Sequence, residues 1–375
     1  MKETKETKIL NLNLDNNKRM IFVADIHGDI NTLDTGLKKI GFNDNDYLFI
    51  IGDIIEKGDE TFNLKTLRYV MSLAKKPNVY VLAGNCDEVF RFIIPNDEIT
   101  KQRTLYYINE RKHSILNDIA IEQNFKLGND MDIDAFKNMV FDKYNDLIEF
   151  IDSLYDVIFI NDELVLVHAG IDDIDDIPTT AIKVLKYDRF YELSKPQKKL
   201  MIVGHYPTRN YRADVSCVNP IFDFRKNIIS IDGGNHLVKG GQINFVILES
   251  LSSMDFTYQA FDHYPKYVMK RNVLYDNPHM KVNLRYGDNE IEIIDKDLDF
   301  YLVKHVGTNL KMWVPQVYVY QDLKTAKYYT YDATNQFLTV NQGDVISVIK
   351  KANPYSVIKH DGFIGLINTE YIDED

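Results

Sequence analysis

The chain has 375 residues, of which 45% are hydrophobic and 27% charged, with a formal net charge of −12 and a pI near 5.3. This balance is that of a globular protein and argues against a disordered or membrane-embedded chain. The acidic surface disfavours broad binding to nucleic acids or anionic membranes, so a phosphate ligand must be drawn in locally, by metal ions or placed cations.

The length exceeds the range over which a single hydrophobic core keeps growing, which predicts one large domain and a smaller one. Two cysteines, Cys86 and Cys217, make no disulfide framework and suit a reducing compartment. The N-terminal stretch MKETKETKILNLNLD alternates in charge and lacks the apolar block of a signal peptide. No apolar run approaches the roughly 20 residues of a membrane span, and a cytoplasmic location is expected.

In chain order, RMIFVAD (Arg19 to Asp25) is a buried strand that stops at a polar HGD, and INTLDTGLKKIGF is an amphipathic helix ending at Gly41. The pattern repeats with the strand DYLFIIGD, the helix TFNLKTLRYVMSLAKK and the strand NVYVLAGN, which predicts βαβ units in a mostly parallel sheet. From Glu88 to Tyr155 the pattern is helical, broken at KLGNDMD, and is expected to be an insertion or cap. Strands resume with DVIFIN, ELVLVHAG, KLMIVGH, NIISIDGG and QINFVILES, enough for two sheets with helices outside. After about Phe261 the chain is rich in Tyr, Val, Ile and Thr with closely spaced turns, which predicts an all-β region.

The polar residues that end these strands form a pattern. Asp25 and His27 follow the first strand, Asp53 the second and Asn85 the third, while His168 and His205 close two later ones. In an open α/β sheet the carboxyl ends of strands are where ligands bind. Any one of these residues alone reads equally well as a helix cap, a turn former or a packed histidine. Together they are a mixed oxygen and nitrogen ligand set suited to Mn²⁺, Fe or Zn²⁺. Two metals about 3.5–4 Å apart, bridged by a carboxylate such as Asp53, can activate a water and clamp a phosphoryl group.

The motifs DIHGD, GDIIEKG, GNCDE, VHAG and GHYPT, in this order, resemble those of the calcineurin-like metallophosphoesterases, and IDGGN at 231–235 extends the resemblance to about residue 250. VHAGI, GHYPT and IDGG are most similar to the branch of serine/threonine protein phosphatases and symmetrical dinucleoside tetraphosphatases. The resemblance implies an α/β fold of two packed mixed β-sheets flanked by helices. It implies two divalent ions, Mn²⁺ foremost, the first held by Asp25, His27 and Asp53, the second by Asp53, Asn85, His168 and His205. It further implies hydrolysis of a phosphate ester in a small molecule, nucleotide or phosphoprotein, with Lys57, Arg189 and Asn85 contacting substrate.

Residues 15–264 are therefore expected to be the catalytic domain, with a helical insertion at about 88–155, and 265–375 an all-β region. Its part at about 316–375 resembles an SH3-like module, ending in GFIGLINTEYI. Such a module would bind a peptide partner, or only pack on the catalytic domain. Tyr355 and Tyr371 alone do not establish a peptide groove.

Three residues depart from the phosphatase pattern: Glu56 stands for Asp, Lys57 for Arg and Cys86 for the His that protonates the leaving oxygen in the family. A thiol is a weak donor without positive charge, and Lys57 keeps a charge but not the bidentate fork. The expected substrates therefore have acidic leaving groups. Two further readings stay open: a phosphodiesterase, because GNCD occurs in a phosphodiesterase-like branch, and a degenerate phosphoesterase that serves as a scaffold for a phosphorylated ligand. Arg189 in KYDRF lies where relatives carry a phosphate-contacting Arg, and Arg209 in PTRN is expected at the surface or near the phosphate. His236 follows the IDGG turn, where it could approach the site or cap a loop, Cys217 is expected to be buried, and His113, His263, His279, His305 and His360 lie outside the motifs.

Overall fold

A computed structural model describes residues 5–58, 62–93, 97–111, 113–276 and 280–372, so His279 lies outside the described residues. The chain divides into two compact units. The first takes the chain up to Tyr206 with Pro220–His236 and Ile243–Phe261, and the second takes Pro207–Asn219, Leu237–Gln242 and the chain from Asp262 onward.

The first unit runs β1 (Ile9–Leu12), β2 (Met20–Val23), α1 (Ile30–Lys39), β3 (Tyr47–Ile51), α2 (Asn63–Leu73) and β4 (Val79–Leu82). A 3₁₀ turn (Asp87–Phe92) leads into α3 (Glu98–Glu110), α4 (Ile115–Glu122) and α5 (Ile133–Ser153). Then follow β5 (Val157–Ile160), β6 (Leu164–Val167), α6 (Ile182–Leu185), α7 (Phe190–Leu193), β7 (Leu200–Val203), β8 (Ile221–Asp223), β9 (Ile228–Ser230), β10 (Ile243–Leu248) and β11 (Phe256–Phe261). One sheet has the order β1-β5-β6-β7-β9-β8 and the other β11-β10-β2-β3-β4, each mixing parallel and antiparallel pairs.

The strands are apolar on both faces because both faces are buried. Met20, Phe22, Phe49, Ile51, Leu164, Leu166 and Ile202 share one core with residues of both sheets, and Phe22 stacks on Phe49 at 5.2 Å. The alternate residues Ile21, Val23, Leu48, Ile50, Val165 and Val167 face a second core shared with Leu33, Leu37 and Leu67 of the helices. Side chains alternate across a strand, so a run without polar interruption is what a layer between sheet and helices requires. Four helix starts are capped by side chains: Asp29, Asp97, Ser114 and Asp132 each accept from a backbone amide three residues on.

Strand β1 was hidden in a segment that reads as a charged tail. Its alternating residues Leu10 and Leu12 pack on the core between the sheets, and it pairs in parallel with β5. The short helices α6 and α7 also lack a sequence signal, being too short for a helical period to show.

The second unit is all-β. It contains β12 (Lys266–Val268), β13 (Asn283–Leu284), β14 (Glu290–Asp297), β15 (Phe300–His305), β16 (Lys311–Pro315), β17 (Val319–Gln321), β18 (Tyr328–Thr330), β19 (Ala333–Thr334), β20 (Val345–Lys350), β21 (Tyr355–His360) and β22 (Phe363–Asn368). The antiparallel sheets are β16-β15-β14-β18-β17, β12-β20-β21-β22 and the pair β13-β19, so the described residues from 316 onward are divided among sheets and not gathered in one.

Two loops that precede Asp262 in sequence join this unit through buried cations. Lys359, on β21, is 2.9 Å from Asp262 and donates to the Gly240 and Gly241 carbonyls at 2.9 and 3.1 Å. Arg209 is the larger correction. Placed by sequence at the surface or near a phosphate, it is wholly buried in the second unit, where it pairs with Asp332 and donates to Ser216 Oγ at 2.6 Å. A guanidinium so enclosed is a structural cation, because removing one partner would leave the other buried and unpaired. Cys217 is buried too.

Candidate metal centre

The loops that follow β2 and β3 lie side by side. Asp25, His27 and Gly28 donate their amides to the carbonyls of Gly52, Asp53 and Ile54 at 3.1, 3.0 and 2.9 Å. The third loop is tied in by Asp87, whose carboxylate accepts from Ile54 and Gly84 at 2.8 Å and from Ile55 at 3.3 Å. Asp87 was not singled out by sequence reasoning; its signal is the acid that closes GNCD. Close approach explains the glycines: a Cβ on Gly84 would fall 2.1 Å from the Asp53 amide nitrogen and 2.2 Å from Asp53 Oδ1, and one on Gly204 would fall 2.3 Å from Asp25 Oδ2.

Asp25, His27, Asp53 and His205 all have left-handed backbone, with φ of 55°, 52°, 50° and 68°. For a non-glycine residue this conformation costs on the order of 1–3 kcal/mol and clusters at functional sites.

The side chains converge on Asp53. His168 Nε2 is 3.3 Å from Asp53 Oδ1, and His27 Nε2 is 4.0 Å from Asp53 Oδ2 and 3.9 Å from Asp25 Oδ1. The Asn85 amide head lies 3.3 Å from His168 Nε2 and 2.8 Å from His205 Nδ1. The His205 backbone amide donates to both Asp25 oxygens at 3.1 and 3.0 Å, and its Nε2 meets Asp188 Oδ1 at 2.9 Å. Possible ligand atoms of Asp53, His168 and His205 lie within 4.8 Å of one another, as do those of His27, Asp53 and Cys86.

The electrostatics of the cluster call for cations. Burial and the neighbouring carboxylate of Asp232 push Asp25 well above the usual carboxylate range, and burial likewise raises Asp232 to about 7. Asp53 is held below that range against its own burial, by His168 and His27. Burial lowers His27 to about 4, so its ring is neutral at physiological pH and offers a lone pair. Among the described residues, both ring nitrogens of His27 are buried without a hydrogen-bond partner, as is Asp232 Oδ2. Such groups are costly unless something satisfies them. His168 Nδ1 lies 2.9 Å from the Ile51 carbonyl, which orients Nε2 toward Asp53. Divalent cations therefore fit this donor set.

The departures from the phosphatase pattern diverge in space. The backbone amide of Cys86 donates to Asp53 Oδ1 at 2.8 Å, and burial pushes its thiol well above the ordinary value, so it stays protonated. Lys57 is near enough for its charge to act on both Cys86 and His27. Glu56 turns into the helical insertion, where it accepts from the Tyr107 hydroxyl and from the Ile115 amide at 2.8 Å, while its own backbone amide donates to Asn63 Oδ1 at 2.7 Å.

The Arg189 guanidinium is drawn onto Glu192, at 2.6 and 2.9 Å, and is half exposed. It is its neighbour Asp188 that reaches His205. His236 approaches Asp29, at 3.3 Å. Asp188 and Asp232 are further additions that the sequence did not single out. Asp232 had a signal in IDGG, whereas Asp188 had none. The 780 Å³ cavity lined by Asn11, Asn161, Glu163 and Lys199 lies at the amino ends of β6 and β7, away from His168 and His205, and plays no part here.

Burial raises Glu56 to about 7, above its unfolded value of 4.5. Between these values the native state binds more protons than the unfolded chain, so this contribution to stability is lost as pH rises from 4.5 toward 7. Glu56→Gln has no such proton. With chelator present, wild type is expected to lose about 2–3 kcal/mol more than the variant between pH 5 and pH 8, read from urea midpoints. Parallel pH profiles would show that Glu56 is not charged at a cost.

A mixed two-sheet sandwich with carboxylates and imidazoles gathered at its strand ends is the architecture of a metallophosphoesterase. The sequence model of the calcineurin-like phosphoesterases matches residues 18–228, and the chain belongs to that family. Among curated proteins none matches this sequence. Similar solved structures include a provisionally assigned diadenosine tetraphosphatase, at 14% identity over 68% of this chain and 98% of that one, with a TM-score of 0.42. A protein serine/threonine phosphatase from Saccharomyces cerevisiae is 12% identical over 69% of this chain and 85% of its own, with a TM-score of 0.40. A metallophosphoesterase from Sphaerobacter thermophilus is 15% identical over 66% and 89%, with a TM-score of 0.35. Among the described residues no helix is long and apolar enough to cross a membrane.

Proposed function

We propose that the protein is a hydrolase of phosphate esters that works with two divalent metal ions, Mn²⁺ foremost, in a catalytic domain spanning about residues 15–264. Asp25, His27 and Asp53 would hold one ion, and Asp53, Asn85, His168 and His205 the other. The observation that carries this reading is the two-sided approach to Asp53: His168 stands at one carboxylate oxygen and His27 at the other. When bound, such ions lower the pKa of a shared water and offset charge on the phosphoryl oxygens.

The chain's own groups have separate tasks. Asp53 would supply a carboxylate oxygen to each ion. Lys57 grips the phosphoryl group as a point charge, without the directionality of a guanidinium fork. Cys86, a neutral thiol, gives little help to the departing oxygen, so esters and anhydrides of acidic alcohols are the favoured substrates. A protein-phosphatase-like or dinucleoside-polyphosphatase-like activity is the preferred reading over a diesterase, because VHAGI, GHYPT and IDGG belong to that pattern.

The test is elemental analysis of the purified protein alongside a phosphoester panel with Mn²⁺ added. Close to two metal ions per chain and hydrolysis of aryl monoesters ahead of bis-aryl diesters are expected. Metal bound without turnover of any ester would instead favour a phospho-ligand-binding scaffold.

A further inference from the structure

Helix α3 presents an exposed face that the proposed reaction leaves unused. Ile99, Arg103, Tyr106 and Tyr107 recur at helical spacing and, with Arg111 just past the end of the helix, line a trough of about 690 Å³. Ile99 and Tyr106 are 67% and 69% exposed. At one end the trough meets the centre: the Tyr107 hydroxyl donates to Glu56, in the loop that also carries Asp53 and Lys57. At the other end Glu98 is engaged by Gln102, at 3.1 Å.

The cations give the trough its chemistry. The Arg111 guanidinium lies over the Tyr107 ring, 5.6 Å from its centroid. Neither Arg103 nor Arg111 has an ion pair among the described residues, although the chain carries a net charge of −12. A rise of about 1.5 Å per residue puts Arg103 about 6 Å along the helix from Tyr107, about the span of one substituted ring. An aromatic face flanked by guanidinium groups is complementary to a flat ring that carries negative charge.

We propose that this face of α3 receives the leaving group of the substrate, an aromatic ring bearing its own anionic group, stacked on Tyr106 and held by Arg103 and Arg111. The proposal rests on the hydrolase reading above and specifies the substrate class of that site.

The experiment uses the full chain with Mn²⁺ and three substrates: phenyl phosphate, 3-carboxyphenyl phosphate and acetyl phosphate. Arg103→Glu turns an attraction into a repulsion at an exposed position and is expected to lower the selectivity for carboxyphenyl over phenyl phosphate, as kcat/KM, by about tenfold. Tyr106→Ala is expected to lower the ratio of phenyl to acetyl phosphate by about fivefold, mainly through KM. Both residues are exposed, and unchanged circular dichroism checks the fold. Unaltered ratios in both variants would overturn the proposal. If wild type hydrolyses none of the three, the hydrolase reading fails, and the trough is then judged by calorimetry with 3-carboxyphenyl phosphonate. Binding weakened about tenfold in Arg103→Glu supports it, and equal or absent binding overturns it.

Discussion

Exchanging Asp53 for asparagine is expected to lower phosphoester turnover by about 10³-fold or more and to reduce the metal content of the purified protein. Asp53 would offer a charged oxygen to each ion, whereas an amide would offer one neutral oxygen, so both ions would lose a charged ligand. Several kcal/mol of transition-state stabilisation depend on that pair, and about 4 kcal/mol is three orders of magnitude in rate. The fold should survive, for two reasons. An asparagine oxygen can still accept from the Cys86 amide, now at 2.8 Å. The substitution also removes one of three neighbouring buried carboxylates, Asp25, Asp53 and Asp232, whose mutual repulsion raises the proton affinity of Asp25 and Asp232. Metal stoichiometry, turnover and the Tm of the metal-free protein should therefore separate. A variant that keeps both its metal and its rate would sink the bridging role.

Cys86→His is expected to raise turnover of alkyl phosphates by about 10²-fold while changing aryl phosphates severalfold at most. A positioned general acid contributes about 10²- to 10⁴-fold, and the benefit grows with the basicity of the leaving oxygen. The gain should fall at the low end of that range, because Glu56 faces Tyr107 and Ile115 and is not available to orient an imidazole. The check is kcat on a poor and a good leaving group for both proteins. An equal gain on the two substrates would refute the account of a missing acid.

Much of the scaffold was legible because burial on two faces leaves a plain mark. The runs MIFV, YLFII, LVLV and LMIV are uninterrupted because each packs on the opposite sheet through one face and on helices or loops through the other. Strand β1 escaped notice because it buries one alternate set of residues within a charged segment. Arg209 was misplaced for a related reason: arginine is ordinarily exposed, and nothing local announces a partner more than a hundred positions away, Asp332.

By itself, then, the sequence determined the alternation of strands and helices, the family motifs and the residue types gathered at strand ends, since these follow from local periodicity and from turns that need special backbone. Tertiary structure alone decided which of those side chains face one another, that Glu56 serves the insertion, that Asp87 binds two motif loops together and that Arg189 is turned onto Glu192. Each of these is settled by packing and by the pairing of buried charge between distant segments, and a one-dimensional pattern does not carry such information.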